Sequence, residues 1–302
     1  MRFGFKCGSK SAFRGTGLLI VLHMEMFREY LNRTHVLGET IMAKSVGIVL
    51  AAGQGKRMKS DISKQYLLMD GKPILAYALK AFEESFIDEV VLVVEAGRED
   101  YCRRELAEKY HFHKVKQIIP GGKERCHSVF CGLQCIEDAD YVYIHDGARP
   151  FLSQEILERG REAVVQYEAC VVGMPVKDTI KIANEAGFVE STPERSRVWQ
   201  VQTPQIFSYP LIKKAYEKLM GQSDIKEVLL PLPEERPFFD ACAIPHFEKH
   251  IQVTDDAMVA EKMLGQKVYL VEGSYENIKI TTQEDLVYGE AFCKKYWTES
   301  EK

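Results

Sequence analysis

A seven-residue apolar run, Val46 to Ala52, ends in a glycine-rich loop, Gly53-Gln54-Gly55. This feature constrains the fold most. A continuous apolar run of that length, bounded by glycines, is a strand buried on both faces. A buried parallel strand needs neighbours and covering helices, and the chain downstream supplies both. Apolar positions 74, 75, 78, 79 and 82 form a helical stripe within Lys72–Phe82. Strands are expected at 46–52, 89–94, 114–119, 141–146 and 169–176. Helices are expected at 98–110, from the glycines at 121 onward, and at 153–167. The alternation predicts an α/β fold: a Rossmann-like, mostly parallel open sheet with helices on both faces.

Ligands of such sheets bind beyond the carboxyl ends of the strands. Three unusual segments fall there: 53–64, 120–128 and 146–150. The first carries Lys56, Arg57 and Lys64. It is not a Walker A loop, because Arg57 stands where Ser or Thr is needed. It also lacks the third glycine of the dinucleotide fingerprint, which argues against an NAD-dependent oxidoreductase. Cations added to a glycine loop suit a highly charged ligand such as a triphosphate, and they stabilise charge developing on phosphorus. Asp146, at a strand end, is a hard oxygen ligand suited to Mg²⁺. The competing reading is a turn aspartate, common before glycine. In 121–129 the glycines let backbone amides approach a ligand, and Ser128 offers a hydroxyl to a base or sugar.

From 176 to 203 the rhythm gives way to short alternating pieces around an Asn-Glu-Ala-Gly turn. This reads as a β-arm, about 175–203, projecting from the sheet and suited to packing on a second copy. Residues 221–250 are rich in proline and charge and read as an insertion. The first 43 residues are basic, with one apolar stretch (18–24), and read as an extension outside the catalytic fold of 44–302. That stretch is too short to span a bilayer, which needs about 20 apolar residues. The 302 residues carry a net charge of −4, so no broad nucleic-acid or membrane surface is expected. The eight cysteines form no C-x-x-C pair. Reduced thiols in a cytoplasmic protein are expected. Cys126, Cys131, Cys135 and His127 are not spaced to put three metal ligands on one helical face.

Seven motifs then occur in order: L-A-A-G-x-G-x-R-M with K-Q-Y, G-G-x-x-R-x-x-S-V, H-D-x-A-R-P, P-V-x-D-T-x-K, T-P-Q, T-D-[DE]-A and E-G-x-x-x-N-I-K-[IV]-T. Together, from about Ser45 to the C-terminus, they resemble the 2-C-methyl-D-erythritol 4-phosphate cytidylyltransferase family. The resemblance implies CTP and 2-C-methyl-D-erythritol 4-phosphate as substrates, a divalent cation, usually Mg²⁺, and a homodimer interlocked through the arm. It implies that Arg57 and Lys64 are the catalytic cations at the α-phosphorus. Ala51, Ala52, Gly53 and Gly55 would receive CTP, with Gly122, Lys123 and Ser128 at cytosine and ribose. Asp146 would be the metal and substrate carboxylate, flanked by Arg149. Thr179 and Arg195 would reach the partner's acceptor, and Thr203, Thr254 and Lys279 would add acceptor contacts. His145 is expected to support the site rather than act as a base. Lys123 departs from members that carry Asp there, and the stretch from Phe207 to Thr254 is longer than the resemblance implies. The alternatives are a ribitol 5-phosphate cytidylyltransferase, which shares several motifs, and a non-catalytic nucleotide-binding protein on the same fold.

Overall fold

The computed structural model describes residues 43–53, 63–221 and 253–297. Residues 1–42, the loop segment 54–62 with Gly55 and Arg57, and most of the 221–250 insertion therefore lie outside the described residues.

A seven-stranded sheet organises the unit that begins at Lys44. The chain runs through β1 (Ser45–Ala51), the short strands β2 (Leu68–Met69) and β3 (Lys72–Pro73), α1 (Ile74–Glu83) and β4 (Glu89–Val94). It continues through α2 (Glu99–Cys102), extended by a π-helical turn over Arg103–Glu108, then β5 (Val115–Pro120), α3 (Arg125–Gln134) and β6 (Tyr141–Asp146). Next come α4 (Gln154–Tyr167), β7 (Ala169–Pro175), the hairpin β8 (Ile182–Ala183) and β9 (Val189–Ser191), and β10 (Trp199–Ser208). The chain closes with α5 (Tyr209–Gly221), α6 (Asp256–Leu264), β11 (Tyr269–Glu272) and α7 (Gln283–Tyr296).

The sheet order is β11-β7-β10-β6-β1-β4-β5. Strands β1, β4, β5 and β6 run parallel, as does the β11–β7 pair, while β10 runs antiparallel between β6 and β7. The expected α/β sheet is present. Strand β10 corrects the arm: residues 199–203 belong to the main sheet, and Trp199 pairs with Pro175 at the root. The sequence hid this strand because polar Gln200, Gln202 and Thr203 interrupt its apolar pattern. The predicted helix over 72–82 starts instead at Ile74. Pro73 sits at its N-cap, and Lys72–Pro73 pairs with Leu68–Met69.

Alternation along each strand sends side chains to two cores. Val49 and Ala51 of β1, with Val90, Leu92 and Val94 of β4, join Leu75, Phe82 and Phe151 on one face. Val46, Ile48, Val91 and Val93 join Val129, Leu133, Tyr216 and Val259 on the other. Each fully buried side chain of this size contributes about 1.5–3 kcal/mol relative to exposure. With both faces covered, the inner strands β1, β4 and β7 have buried side chains along nearly their whole length, which explains their unbroken apolar runs in the sequence.

Between β8 and β9 the chain turns on Asn184, whose carboxamide oxygen accepts from the N–H of Ala186 and of Phe188. Gly187 takes a positive φ of 83° there, a conformation glycine adopts without strain. Phe188 and Val189 are 72% and 60% exposed, and Ile180 and Ile182 are exposed beside them.

Candidate active site

The chain passes from β1 to β4 and β5 on one side, then returns to lay β6 on the other side of β1. Between β1 and β6 the strand order reverses, so a crevice opens at their carboxyl ends. Leu50 pairs with Asp146 in register, and the Gly147 N–H donates to the Leu50 carbonyl at 2.8 Å. Ala51, Ala52 and Gly53 therefore stand beside Asp146. Gln65 holds the far end of the glycine loop. Its side-chain amide donates to the carbonyls of Ala51 (2.6 Å) and Gly53 (3.1 Å). That bond fixes the short 3₁₀ turn Lys64–Tyr66 against the strand end, and with it the backbone of Lys64.

From the β5 side, Gly121 packs against the same place. A Cβ there would lie 2.4 Å from the Ala52 Cβ and 2.7 Å from the Ser128 hydroxyl. Ser128 accepts from the Gly122 N–H at 3.1 Å and donates to the Glu124 carbonyl at 3.2 Å, so its hydroxyl shapes the glycine turn. Lys123 is exposed. Glu124 and His127 cap α3 reciprocally. The ligand atoms of Glu124, Cys126 and His127 lie within 4.8 Å of one another. Cys131 and Cys135 are not in that group. Burial, and then Glu124, push the Cys126 thiol up to about 11. This sulfur-containing set does not suit a hard cation such as Mg²⁺.

Asp146 is the electrostatic centre. It is 7% exposed, and both of its oxygens accept from cations. Lys279 Nζ donates to Oδ2 at 2.6 Å and Arg125 Nε to Oδ1 at 3.2 Å. Burial alone would raise its pKa, but Arg125, Lys279 and Arg149 outweigh it and hold the carboxyl well below the usual range. Arg149 donates through Nη1 to the Asn277 carbonyl at 2.8 Å, while its buried Nε has no hydrogen-bond partner among the described residues. Burial lowers its pKa, opposed by Asp146.

Behind Asp146, Thr203 is buried. It accepts from the Asp146 N–H at 3.1 Å and lies 3.0 Å from His145 Nδ1. His145 Nε2 lies 3.0 Å from the Arg149 carbonyl, so Nε2 carries the proton and Nδ1 accepts from Thr203. Burial pushes the His145 pKa down to about 4. A neutral, fully buried ring with both nitrogens engaged supports the backbone of the site.

The structure thus gathers Ala51, Ala52, Gly53, Gly122, Ser128, Asp146, Arg149, Thr203 and Lys279 around one crevice. Thr179 and Arg195 lie on the exposed arm, where Arg195 donates to the Lys177 carbonyl at 3.3 Å. Thr254 is exposed, with its hydroxyl 3.4 Å from Met258 Sδ. Sequence reasoning did not single out Arg125 and Asp256, although both lie within quoted motifs. Arg125 donates to Asp256 through both terminal nitrogens, at 2.9 and 2.8 Å. Their signal was a charge placed in each case just ahead of an apolar helical stripe. A polar cleft of about 600 Å³, lined by Lys80, Gln154, Glu276 and Tyr296 among others, lies elsewhere and contains none of these groups. The converging cations, not the volume, mark the site.

A cation-flanked carboxylate at the switch point of a doubly covered sheet, beside a glycine loop, is a site for phosphate chemistry on nucleotides. Residues 45–229 and 221–295 match the 2-C-methyl-D-erythritol 4-phosphate cytidylyltransferase family. The relative of that name from Lachnoclostridium phytofermentans is 41% identical over 255 residues, 84% of this chain and 98% of the relative. The one from Lachnospira eligens is 46% identical over 251 residues, 83% and 99% of the two chains. A solved 4-diphosphocytidyl-2C-methyl-D-erythritol synthase from Anaerococcus prevotii superposes with a TM-score of 0.65 at 30% identity, covering 83% of this chain and 96% of that one. The Thermus thermophilus cytidylyltransferase gives 0.60 at 26% identity, covering 84% and 100%. The chain belongs to this family, and it is a nucleotidyltransferase enzyme of the cytidylyl-transferring kind.

Proposed function

We propose that the enzyme transfers the cytidylyl group of CTP to 2-C-methyl-D-erythritol 4-phosphate, giving 4-diphosphocytidyl-2-C-methyl-D-erythritol and pyrophosphate for isoprenoid precursor synthesis. An oxygen of the acceptor phosphate forms a bond to the α-phosphorus of CTP. The bond from that phosphorus to the bridging oxygen of the β-phosphate breaks, and pyrophosphate leaves. Both reactants are anions, so the enzyme's main task is to bring them into line and stabilise the added charge. Lys64, fixed by the Gln65 bonds, and Arg57 supply that stabilisation. Backbone groups at 51–53 and 55 receive the triphosphate. Gly122, Lys123 and Ser128 hold the nucleoside. Arg149, whose Nε has no partner among the described residues, Lys279, Thr203 and Thr254 orient the acceptor phosphate. No covalent intermediate is needed, and neutral His145 takes no proton.

Asp146 supports a divalent cation, Mg²⁺, because a single hard carboxylate plus substrate phosphates is that ion's usual environment. When bound, Mg²⁺ neutralises phosphate charge and stabilises the leaving pyrophosphate. The exposed apolar arm supports a homodimer in which Thr179 and Arg195 reach the partner's acceptor. Among the described residues no helix is long and apolar enough to cross a membrane, and we place the reaction in the cytoplasm.

The observation that carries this reading is Asp146, flanked by Lys279 and Arg125 next to the β1 loop. The test is pyrophosphate release from CTP and Mg²⁺ with 2-C-methyl-D-erythritol 4-phosphate or ribitol 5-phosphate as acceptor. Turnover with the former alone is expected. Turnover with ribitol 5-phosphate alone would move the enzyme to the sister activity, and silence with both would leave a nucleotide-binding protein.

A further inference from the structure

The two cations on Asp146 are held very differently. Every nitrogen of the Arg125 guanidinium is engaged: Nη1 and Nη2 on Asp256, Nε on Asp146 Oδ1. Asp256 is 0% exposed. It accepts from the Tyr216 hydroxyl at 2.6 Å, and its own N–H donates to Gln205 Oε1 at 2.8 Å. Tyr216 is itself fully buried in α5. The fork–carboxylate pairing is bidentate, which fixes the guanidinium orientation as well as its place. Lys279, in contrast, reaches Asp146 Oδ2 from the end of a flexible stem whose side chain is 35% exposed.

We propose that Arg125, clamped by Asp256 and Tyr216, is a positioning residue that keeps hold of Asp146 Oδ1 throughout the reaction, and that Lys279 is the cation that leaves Oδ2 when metal and substrate phosphates arrive. This rests on reading Asp146 as the metal carboxylate. An incoming divalent cation takes one carboxylate oxygen, and its charge repels whichever of the two present cations shares that oxygen. Withdrawing Arg125 would strand the buried Asp256 carboxylate without its counter-charge. Moving Lys279 strands nothing, because its ammonium can transfer to a phosphate. Arg125 therefore sets the carboxylate's orientation from behind, as partners of metal ligands do elsewhere. The clamp also joins the start of α3 and the end of β6, neighbours in the chain, to the start of α6, 131 residues beyond Arg125.

The experiment measures Mn²⁺ affinity by electron paramagnetic resonance with CTP present and no acceptor, together with turnover, on the full-length enzyme. Arg125→Lys can satisfy one carboxylate but not both, so it is expected to weaken Mn²⁺ binding by about 10- to 100-fold. Asp256→Asn is expected to move affinity in the same direction. The double variant should be no weaker than the poorer single one, because both act through one contact. Lys279→Ala is expected to leave Mn²⁺ affinity intact or tighter while lowering turnover. Wild-type Mn²⁺ affinity in a folded Arg125→Lys, or a loss in Lys279→Ala equal to that of Arg125→Lys, overturns the inference. Should Arg125→Lys not fold, Tyr216→Phe and Asp256→Asn decide the matter: unchanged affinity in both overturns it. Asp146→Asn separates the two layers. If that change leaves Mn²⁺ affinity untouched, the metal reading of Asp146 falls. If it abolishes binding while the clamp variants leave affinity at the wild-type value, only the present inference falls.

Discussion

At the scale of single residues, the site is built from groups whose polar atoms are committed in pairs. His145 gives one nitrogen to the Arg149 carbonyl and takes the Thr203 hydroxyl on the other. Its pKa is pushed from 6.5 to about 4 by burial. The neutral form is therefore the one that stabilises the fold. Its contribution is complete above about pH 6.5 and falls away as pH drops toward 4, where the unfolded chain binds the extra proton. The loss across that window is up to ~3 kcal/mol. Urea unfolding at pH 7 and pH 4.5 should show it, and His145→Gln should flatten the slope between those values. A wild type as stable at pH 4.5 as at pH 7 would contradict the assignment. Gly121 is a second single-residue test. Its missing Cβ lets β5 close against Ala52, so Gly121→Ala should cost about 1–3 kcal/mol by overpacking. It should also weaken CTP binding, since Ala52 is among the residues proposed to receive that ligand. Denaturant midpoints and a CTP titration of the same protein would check both.

The elements carry different information. Strands β1, β4, β6 and β7 were legible because burial on both faces leaves only apolar side chains. Helix α1 was legible from its apolar stripe, and α4 was expected at 153–167 from the alternation of strands and helices. The strand β10 was not, because its polar residues serve partners remote in sequence: Thr203 serves β6, and Gln205 serves α6. Local pattern cannot report on such partners. The arm was legible as an interruption of rhythm, though its length was overestimated where β10 re-enters the sheet. Its exposed Phe188, Val189 and Ile182 make a specific expectation. If the proposed homodimer forms through the arm, light scattering at micromolar concentration should give a dimer for the wild type and a monomer for Phe188→Asp, with the secondary structure unchanged. A dimer of undiminished stability would remove the arm from the interface.

For the whole molecule, the question is whether one site is completed by two chains. Arg195 lies on the arm and bonds only locally to Lys177 in the described contacts, whereas Lys64 lies at the crevice. Arg195→Ala should raise the acceptor KM by about 10-fold or more while leaving CTP affinity near wild type. Lys64→Ala should lower kcat by orders of magnitude in a folded protein, since it removes the charge stabilisation proposed for the reacting phosphorus. Mixing the two variants gives a sharper readout. If the arm completes its partner's site, mixed dimers place one intact site in each hybrid, and activity returns. No recovery on mixing would confine each site to a single chain.

The sequence by itself determined the sheet, the ligand face and most of the residues at its edge. Apolar runs and glycine-cation loops are local signals, and the hydrophobic effect acts on them wherever the chain goes. It placed Asp146 at a strand end and Lys64 after the glycine loop because both positions follow from counting along a strand. Only the tertiary structure decided which charges face one another. That Arg125 is locked to Asp256 while Lys279 is held by one bond depends on where α3, α6 and the segment after β11 come together. Electrostatic partnership is a matter of distance in space, and over separations of more than a hundred residues the order of residues along the chain does not encode that distance in any local pattern.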